Sequence, residues 1–178
     1  IHSRIQGVLR YQKTHTTLRL AVDEVKNLTY FSQSYSMGTT DTPRTGMALA
    51  VRQGGATSLL TLELAQDFRL GPLHWENVIT YQKSSKEEVI PVPDLNVYSN
   101  LYLRFKIARV LKCDLGGDVR YFTKYYAPDY SPAIGSYTVQ EGPDKVEVGS
   151  FPIVNVYANF HLKHTRFFVM FSHINAGS

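Results

Sequence analysis

The chain has 178 residues, of which 43% are hydrophobic and 12% aromatic, enough to bury a core as one domain. A mean hydropathy of -0.20 and the lack of any run of about 18 apolar residues exclude a bundle of membrane-spanning helices. The net charge of +4 is too small to select a class of partner, and the single cysteine, Cys113, excludes an internal disulfide framework.

Two-faced strands and one long loop are predicted in the first third of the chain. Residues 3–12 and 18–31 alternate apolar and polar side chains, as half-buried strands do, with a slip near Glu24 that is typical of a β-bulge. Residues 32–57 are rich in Ser, Thr, Gly and Pro and predict a long loop. Within that loop, the alternation at 47–51 predicts a small loop strand.

A hairpin and a second long loop follow. Residues 58–69 form the third predicted strand, and Gly71 and Pro72 make a tight turn into a fourth strand that runs to residue 82. Charged residues and two prolines within 83–94 predict the next long loop.

The segment 95–108 shows the two-faced pattern best. It is longer than the usual strand of about five or six residues, and it could cross a bilayer at a tilt, which takes about 9–11 residues. One face would carry Leu95, Val97, Leu101, Leu103, Phe105 and Ile107, and the other Asn96, Tyr98, Asn100, Tyr102, Arg104 and Lys106.

Three further strands complete the series. A tight turn leads into a sixth strand, 111–124, and a third long loop covers about 127–146. A seventh strand, 148–163, and a short turn lead into an almost wholly apolar eighth, 167–174, whose faces the pattern does not assign. No repeat or domain boundary interrupts the series, so the whole chain is predicted to be one antiparallel meander of about eight strands.

This pattern fits either a membrane barrel or a soluble sheet that is packed on one side. Long strands, short turns that alternate with long loops, and aromatic residues near strand ends favour the first reading: an all-β, antiparallel up-and-down transmembrane β-barrel. A soluble sandwich, or a small closed barrel that carries a ligand or serves as an adhesin, is the alternative. The candidates for the two interfacial aromatic girdles are Trp75, Tyr81, Tyr121 and Tyr125.

The edges of such a sheet constrain how the barrel is completed. In hydrocarbon, each unpaired N–H or C=O group costs several kcal/mol, so the strands must close as a barrel of about eight or be joined by others. The sequence starts at Ile1 with no signal peptide and stops at Ser178 directly after an apolar strand. We therefore expect residues 1–178 to be a single, incomplete barrel segment, with an N-terminal part and a closing strand outside this sequence.

Five patterned stretches of strand and turn carry a family resemblance. They are LGPLHWEN (70–77), VYSNLYL (97–103), DVRYFTKYYAP (118–128), FPIVNVYAN (151–159) and RFFVMFSHINAG (166–177). On these motifs the chain resembles the "putative porin" family of outer-membrane proteins known from the Bacteroidetes group. The resemblance implies the C-terminal part of a longer barrel in a Gram-negative outer membrane, acting as a channel. It is weakest in the loops 38–57 and 133–146, where solute preference is expected to be set.

No catalytic, metal or cofactor chemistry is predicted. His161 and His164 are spaced as H-x-x-H, but residues i and i+3 of one strand point to opposite faces and cannot chelate one metal. Ser, His and Asp occur without the spacing of a hydrolase motif. Cations and aromatics at 120–126 interleave as in single-strand nucleic-acid binders, but a charged pore wall beside an aromatic girdle explains them better. We therefore expect no enzyme activity, no cofactor and no nucleic-acid partner.

The predicted function is passive diffusion of small polar solutes through an outer-membrane channel. Its partners are outer-membrane lipid and the solutes, and assembly into a homo-oligomer is compatible with this reading. Cations exceed anions among the residues assigned to the lumen, so a mild preference for anions is expected. The pore-lining candidates are Arg104, Lys106, Lys112, Asp114, Asp118, Arg120, Lys124 and Lys163.

Overall fold

A computed structural model describes residues 1–36, 38–39 and 44–176, which fold into strands arranged in two sheets. No helix among these residues is long and apolar enough to cross a bilayer. The chain is all-β, as predicted. In chain order the strands are β1 (His2–Tyr11), β2 (Thr16–Val25), β3 (Thr29–Ser36), β4 (Thr45–Gln53), β5 (Thr57–Leu70), β6 (Leu73–Ser84), β7 (Leu95–Ile107), β8 (Leu111–Phe122), β9 (Asp129–Ser131), β10 (Ser136–Glu141), β11 (Ile153–Leu162) and β12 (Thr165–Phe171).

Eight of these strands form one antiparallel up-and-down sheet in the order β1-β2-β5-β6-β7-β8-β11-β12. Each strand pairs with the one before and the one after it in this series, which confirms the predicted meander. All but β12 have 10 to 14 residues, at or above the roughly 9–11 that a tilted crossing of a bilayer takes. Within the described residues the sheet does not close on itself, and β1 and β12 are its outer strands.

Short and long connections alternate, which places them at opposite ends of the large sheet. The short connections are 12–15, 71–72, 108–110 and 163–164, and the long ones are 26–56, 85–94 and 123–152. Residues with φ in the left-handed region reverse the chain tightly in the short connections, for example Gly71 at 58° and Arg109 at 60°. We call the two ends of this sheet the short-turn end and the long-connection end.

The large sheet has an apolar face and a polar face, and the apolar face is the more exposed of the two. Asn100 on the polar face is 7% exposed, whereas its neighbour Leu101 on the apolar face is 49% exposed. A soluble sheet shows the reverse, because its apolar side chains pack against a second layer. The polar face therefore lies on the inside of the curved sheet. Other exposed apolar side chains of the outer face are Leu20, Val22, Leu60, Leu62, Ile79, Leu103, Leu115, Val119 and Val156.

Two of the long connections are not simple loops, which corrects the prediction. Residues from the predicted loops 32–57 and 127–146 form a second, four-stranded sheet of order β4-β3-β10-β9, in which β3 and β10 run parallel. Parallel pairing of segments so far apart along the chain leaves no local pattern, so the sequence reveals only β4, the predicted loop strand. Residues 37, 40–43 and 177–178 lie outside the described part of the chain.

The slip near Glu24, predicted as a bulge, is the end of a strand. β2 stops one residue later, Asn27 adopts a left-handed φ of 57°, and β3 begins at Thr29 in the second sheet. Asn tolerates this conformation better than most residues, so the chain can leave the large sheet here. The residues predicted to continue β2 therefore belong to the second sheet.

The last two strands differ in length and detail from the prediction. β11 begins at Ile153, and Val148, the predicted start, makes only an isolated bridge with Tyr125. The register also assigns the faces of β12 that the sequence left open. Arg166, Phe168 and Met170 lie opposite the polar-face residues His161, Asn159 and Tyr157.

Candidate functional site

The predicted pore-lining residues lie mostly on the polar face of two neighbouring strands. Lys124 and Lys163 lie beyond the strands, the first after the end of β8 and the second in the turn after β11. That any of these residues lines a pore stays a prediction. The polar face of β7 and β8 carries Arg104, Lys106, Lys112, Asp114, Asp118 and Arg120.

A hydrogen-bonded network occupies the middle of the polar face. The Tyr102 hydroxyl donates to one carboxylate oxygen of Glu76 at 2.9 Å, and the Asn100 amide donates to the other at 3.3 Å. The Tyr157 hydroxyl donates to Oδ1 of Asn100 at 2.9 Å. The His74 ring stacks on Tyr102, with centroids 4.9 Å apart and planes at 6°. The network thus connects β6, β7 and β11 into one fixed surface.

The buried carboxylate of Asp118 is held by groups on both sides. Nδ2 of Asn155 donates to its Oδ1 at 3.0 Å, and Nε of Arg120 lies 3.6 Å from the same oxygen. The Arg120 guanidinium also lies over the ring of Tyr98, 5.3 Å from its centroid. A buried carboxylate is costly unless it is paired, and Asn155 and Arg120 supply the partners that Asp118 needs.

The polar face becomes basic towards the short-turn end. Arg104 and Asp114 lie opposite each other and form a two-pronged ion pair, with N–O distances of 2.9 and 3.3 Å. Closer to the turn, Lys106 lies opposite Lys112. Among the described residues, no carboxylate forms an ion pair with either lysine. This end of the polar face therefore carries a surplus of positive charge.

Gln140 joins the long connections at the other end of the sheet. Its Nε2 donates to the carbonyl oxygens of Ala127 at 2.7 Å and Val146 at 3.0 Å, and its Oε1 accepts from the Val146 amide at 2.9 Å. Arg44 donates to the same oxygen at 2.7 Å and stacks on the Tyr35 ring, 3.6 Å from the centroid. With its side chain buried and fully bonded, Gln140 fixes β10 against residues from both of its flanks.

Glu141 connects three strands of the second sheet. Its carboxylate accepts from the Ser32 hydroxyl and from Arg52, each at 2.7 Å. These hydrogen bonds, that of Ser32 first, hold the pKa of Glu141 below its ordinary value. The second sheet is therefore held together across β4, β3 and β10 by charge as well as by backbone pairing.

The predicted girdle residues divide between the apolar face and a loop. Trp75 lies on the apolar face near the short-turn end, and Tyr81 and Tyr121 lie on it near the long-connection end. Tyr125 follows the end of β8 and packs edge-on against Phe122, with centroids 6.0 Å apart. Aromatic residues at both ends of the apolar face match the positions of two interfacial girdles, a role that stays a prediction.

A row of polar side chains interrupts the apolar face. Thr16, Gln66, Asn77 and Ser99 lie opposite one another on β2, β5, β6 and β7. Gln66 donates to Thr16 at 3.3 Å, Ser99 donates to Asn77 at 2.8 Å, and the Trp75 indole donates to Ser99 at 2.9 Å. By bonding to one another, these groups reduce the cost of facing an apolar surrounding.

Sequence patterns miss several members of the polar-face network. The alternation places Glu76 and Tyr157 on polar faces, but their partners depend on the register between strands, which no local pattern specifies. Arg166, which also lies on the polar face, precedes the predicted start of the eighth strand at residue 167, so the pattern assigns it no face. One signal could have identified Glu76 and Tyr157: each is a carboxylate or an aromatic residue on the polar face of a strand inside the sheet.

The polar face carries several kinds of charged and hydrogen-bonding groups. Fixed charges, amides and hydroxyls follow one another from the short-turn end to the long-connection end, and such groups let a channel wall select what passes. Among the described residues, no three His, Cys, Asp or Glu side chains are placed to hold a metal ion.

Comparison with known proteins agrees with this geometry. The model of a family described as "Putative porin" matches residues 2–178, essentially the whole chain. No curated protein and no solved structure matches the chain. The family description points to a porin-like role and to the outer membrane. The chain therefore belongs to the "putative porin" family, as its motifs predicted.

Proposed function

We propose that this chain forms part of the wall of an outer-membrane channel through which small polar solutes diffuse passively. The observation that carries the proposal is the exposure of the two faces: the apolar side chains are uncovered, and the polar side chains lie inside the curve. In an outer-membrane barrel, lipid covers the first face and water wets the second. Membership of the family supports the same reading.

The outer strands β1 and β12 need pairing partners if the sheet lies in a membrane. In hydrocarbon, unpaired backbone groups along β1 and β12 would each cost several kcal/mol. These two strands must therefore pair with each other or with further strands when the wall is assembled. Either solution leaves the polar face of the described strands on the inside of the ring.

The mechanism is electrostatic and steric. A solute that enters the lumen exchanges part of its hydration for contacts with the amides, hydroxyls and charges of the wall, without tight binding. Asp114 and Asp118 are each paired with an arginine, whereas Lys106 and Lys112 are not paired with a carboxylate in the described residues. The uncompensated charge at the short-turn end is positive, which favours the passage of anions.

The second sheet would shield one mouth of the channel. Long connections of bacterial outer-membrane barrels lie on the extracellular side, and here two of them fold together through the hydrogen bonds of Arg44 to Gln140 and of Ser32 to Glu141. A folded, hydrogen-bonded cover of this kind would limit the size of solutes that reach the lumen.

Reconstitution of the intact protein in planar lipid bilayers tests the proposal. We expect discrete conductance steps. In a potassium chloride gradient, the sign of the reversal potential should show that chloride passes somewhat more readily than potassium. The folded protein should need detergent for extraction and show heat-modifiable mobility on gels. Purification as a monodisperse protein without detergent would support the alternative of a soluble binding module, and strong cation selectivity would overturn the electrostatic mechanism.

A further inference from the structure

Four basic side chains form one row across four strands at the short-turn end of the polar face. Lys106 on β7 lies opposite Lys112 on β8, Lys112 lies opposite His161 on β11, and His161 lies opposite Arg166 on β12. Each residue is the second from its turn, so the turns bring all four to the same level of the sheet. We call this set the basic row.

The basic row lines one cavity. The cavity has a volume of about 660 Å³, and its wall also includes Phe105 together with Arg104, Asp114 and Asn159 from the next level of the sheet. Four of these eight residues are cations with long apolar stems and charged ends. The space is large enough for a small hydrated anion and for a phosphorylated solute.

The charges around this cavity are not balanced. Of the described residues that line it, only Asp114 is acidic, and both of its oxygens accept from Arg104 at 2.9 and 3.3 Å. In the part of the chain that the structure describes, Lys106, Lys112 and Arg166 form no ion pair. Like charges on directly opposite residues destabilise a sheet, so the row is a place where a bound anion would relieve repulsion.

The donors of the row suit an oxyanion. The guanidinium of Arg166 can bind two oxygens at once, and the two lysines add charged donors without fixed direction. His161 donates from Nε2 to the carbonyl oxygen of Lys163 at 3.0 Å, which fixes its ring at the edge of the cavity. Asn159 supplies a neutral amide donor. A tetrahedral oxyanion can satisfy several of these donors together, whereas chloride offers a single centre.

We propose that the basic row is a binding site for oxyanions of the phosphate class, either inorganic phosphate or small phosphorylated solutes, inside the channel. This deepens the proposed function and rests on it for the position of the site in a lumen. Placement on the polar face, away from the apolar face that meets lipid, assigns the ligand to the aqueous side. The site would hold an oxyanion briefly at the short-turn end and so favour phosphate-bearing solutes over other anions.

Binding of inorganic phosphate to the intact protein in a maltoside detergent tests the site directly, because this detergent contains no phosphate. Lys112→Gln removes the central charge of the row and should weaken phosphate binding about 10-fold or more, the usual effect of losing one charge-assisted hydrogen bond. Arg10→Gln is the matched control. Arg10 lies on the same face at the same end, on β1, opposite Thr17, and its removal should change phosphate affinity less than about 2-fold.

A second readout separates this site from the channel itself. In planar bilayers, millimolar phosphate should reduce the chloride current of the unaltered protein and of Arg10→Gln, and should reduce it much less in Lys112→Gln. A channel that conducts chloride but neither binds phosphate nor responds to it would overturn the site and leave the proposed function intact. Phosphate binding that depends on Lys112 in a protein without conductance would support the site and overturn the channel. Equal weakening by the two variants would show only general electrostatic attraction and would also overturn the site.

Discussion

Tyr157 and Asn100 lie on strands that are not neighbours, yet the Tyr157 hydroxyl donates a 2.9 Å hydrogen bond to the Asn100 side-chain oxygen. The strand between them is β8, and the residue opposite Tyr157 on that strand is Gly116. On its other side Gly116 lies opposite Tyr102. The absence of a side chain at Gly116 leaves room for Tyr157 to reach across β8, so Gly116 makes the link between β11 and the rest of the polar-face network possible.

We expect Gly116→Val to break this network. A Cβ at Gly116 would overlap the Cβ of Tyr102 and the carbonyl oxygen of Leu101, so the strands must shift to accept it. Overpacking of this kind costs about 1–3 kcal/mol. Urea unfolding of the intact protein in detergent, followed by heat-modifiable gel mobility, measures the loss of stability.

The control for this change is Gly7→Val. Gly7 lies in the middle of β1, and a Cβ there would meet no atom within 4 Å. Its substitution should change stability by less than about 0.5 kcal/mol. Tyr157→Phe should cost about 1 kcal/mol in the unaltered protein and much less in Gly116→Val, since the hydrogen bond is already lost there. Equal effects of the two glycine substitutions would contradict the role given to Gly116.

A charge on the apolar face should be far more costly than one on the polar face of the same strand. Leu101 is the middle residue of β7 and is 49% exposed. Leu101→Arg should destabilise the protein in phospholipid vesicles by about 2–4 kcal/mol if the site lies near the middle of the bilayer. Asn96→Arg, on the polar face, should be tolerated. Folding into vesicles over a range of denaturant concentrations compares the two, and similar tolerance would point to a soluble sheet.

The large sheet could be predicted from sequence because its signals are local. The alternation of residues 95–108 shows both faces of β7, and Gly71 with Pro72 shows where β5 turns into β6. A strand, its faces and its turn are properties of a few consecutive residues. The number and order of the eight strands follow from these local features once each short turn makes a hairpin.

The second sheet and the polar-face network could not be predicted in the same way. β3 pairs with β10 in parallel across more than half of the chain, and the Tyr157 hydroxyl reaches a residue two strands away. Both depend on register and on curvature, which are set by the whole sheet. The faces of β12 could not be predicted for a different reason. Phe168 and Met170 are apolar residues on the polar face, so the strand lacks the alternation that would have distinguished its two sides.

Ser99 should be more important for stability than a small exposed hydroxyl usually is. It accepts from the Trp75 indole at 2.9 Å and donates to Asn77 at 2.8 Å, all on the apolar face. Ser99→Ala would leave both partners unpaired on the apolar face, at a cost of about 1–3 kcal/mol. Ser99→Thr keeps the hydroxyl and should retain most of the stability. Denaturant unfolding gives the free energies of unfolding of the two variants. The fluorescence spectrum of Trp75 should shift in Ser99→Ala but not in Ser99→Thr, and an unshifted spectrum in Ser99→Ala would argue against the hydrogen bond between Trp75 and Ser99.

The second sheet should loosen in acid before the large sheet does. The pKa of Glu141 is lowered by the Ser32 hydrogen bond and by Arg52. Its stabilising contribution is therefore fully present above the ordinary glutamate pKa of about 4.3 and is lost as the pH falls through the lower pKa of the folded state. The ion pair is half exposed, so the contribution is small, below about 1 kcal/mol.

Amide hydrogen exchange can detect this change within one protein. Protection factors in β3 and β10 should fall between pH 6 and roughly pH 3, while those in β7 serve as the internal reference. Glu141→Gln keeps an acceptor for Ser32 but carries no charge, so its β3 and β10 should be less protected at pH 6 and show a weaker pH dependence. Asp129, which pairs with Arg44 at 3.4 Å, is common to both proteins and cancels in the comparison. If protection in acid fell equally in both proteins, Asp129 or another carboxylate would be responsible for the change, and Glu141 would not.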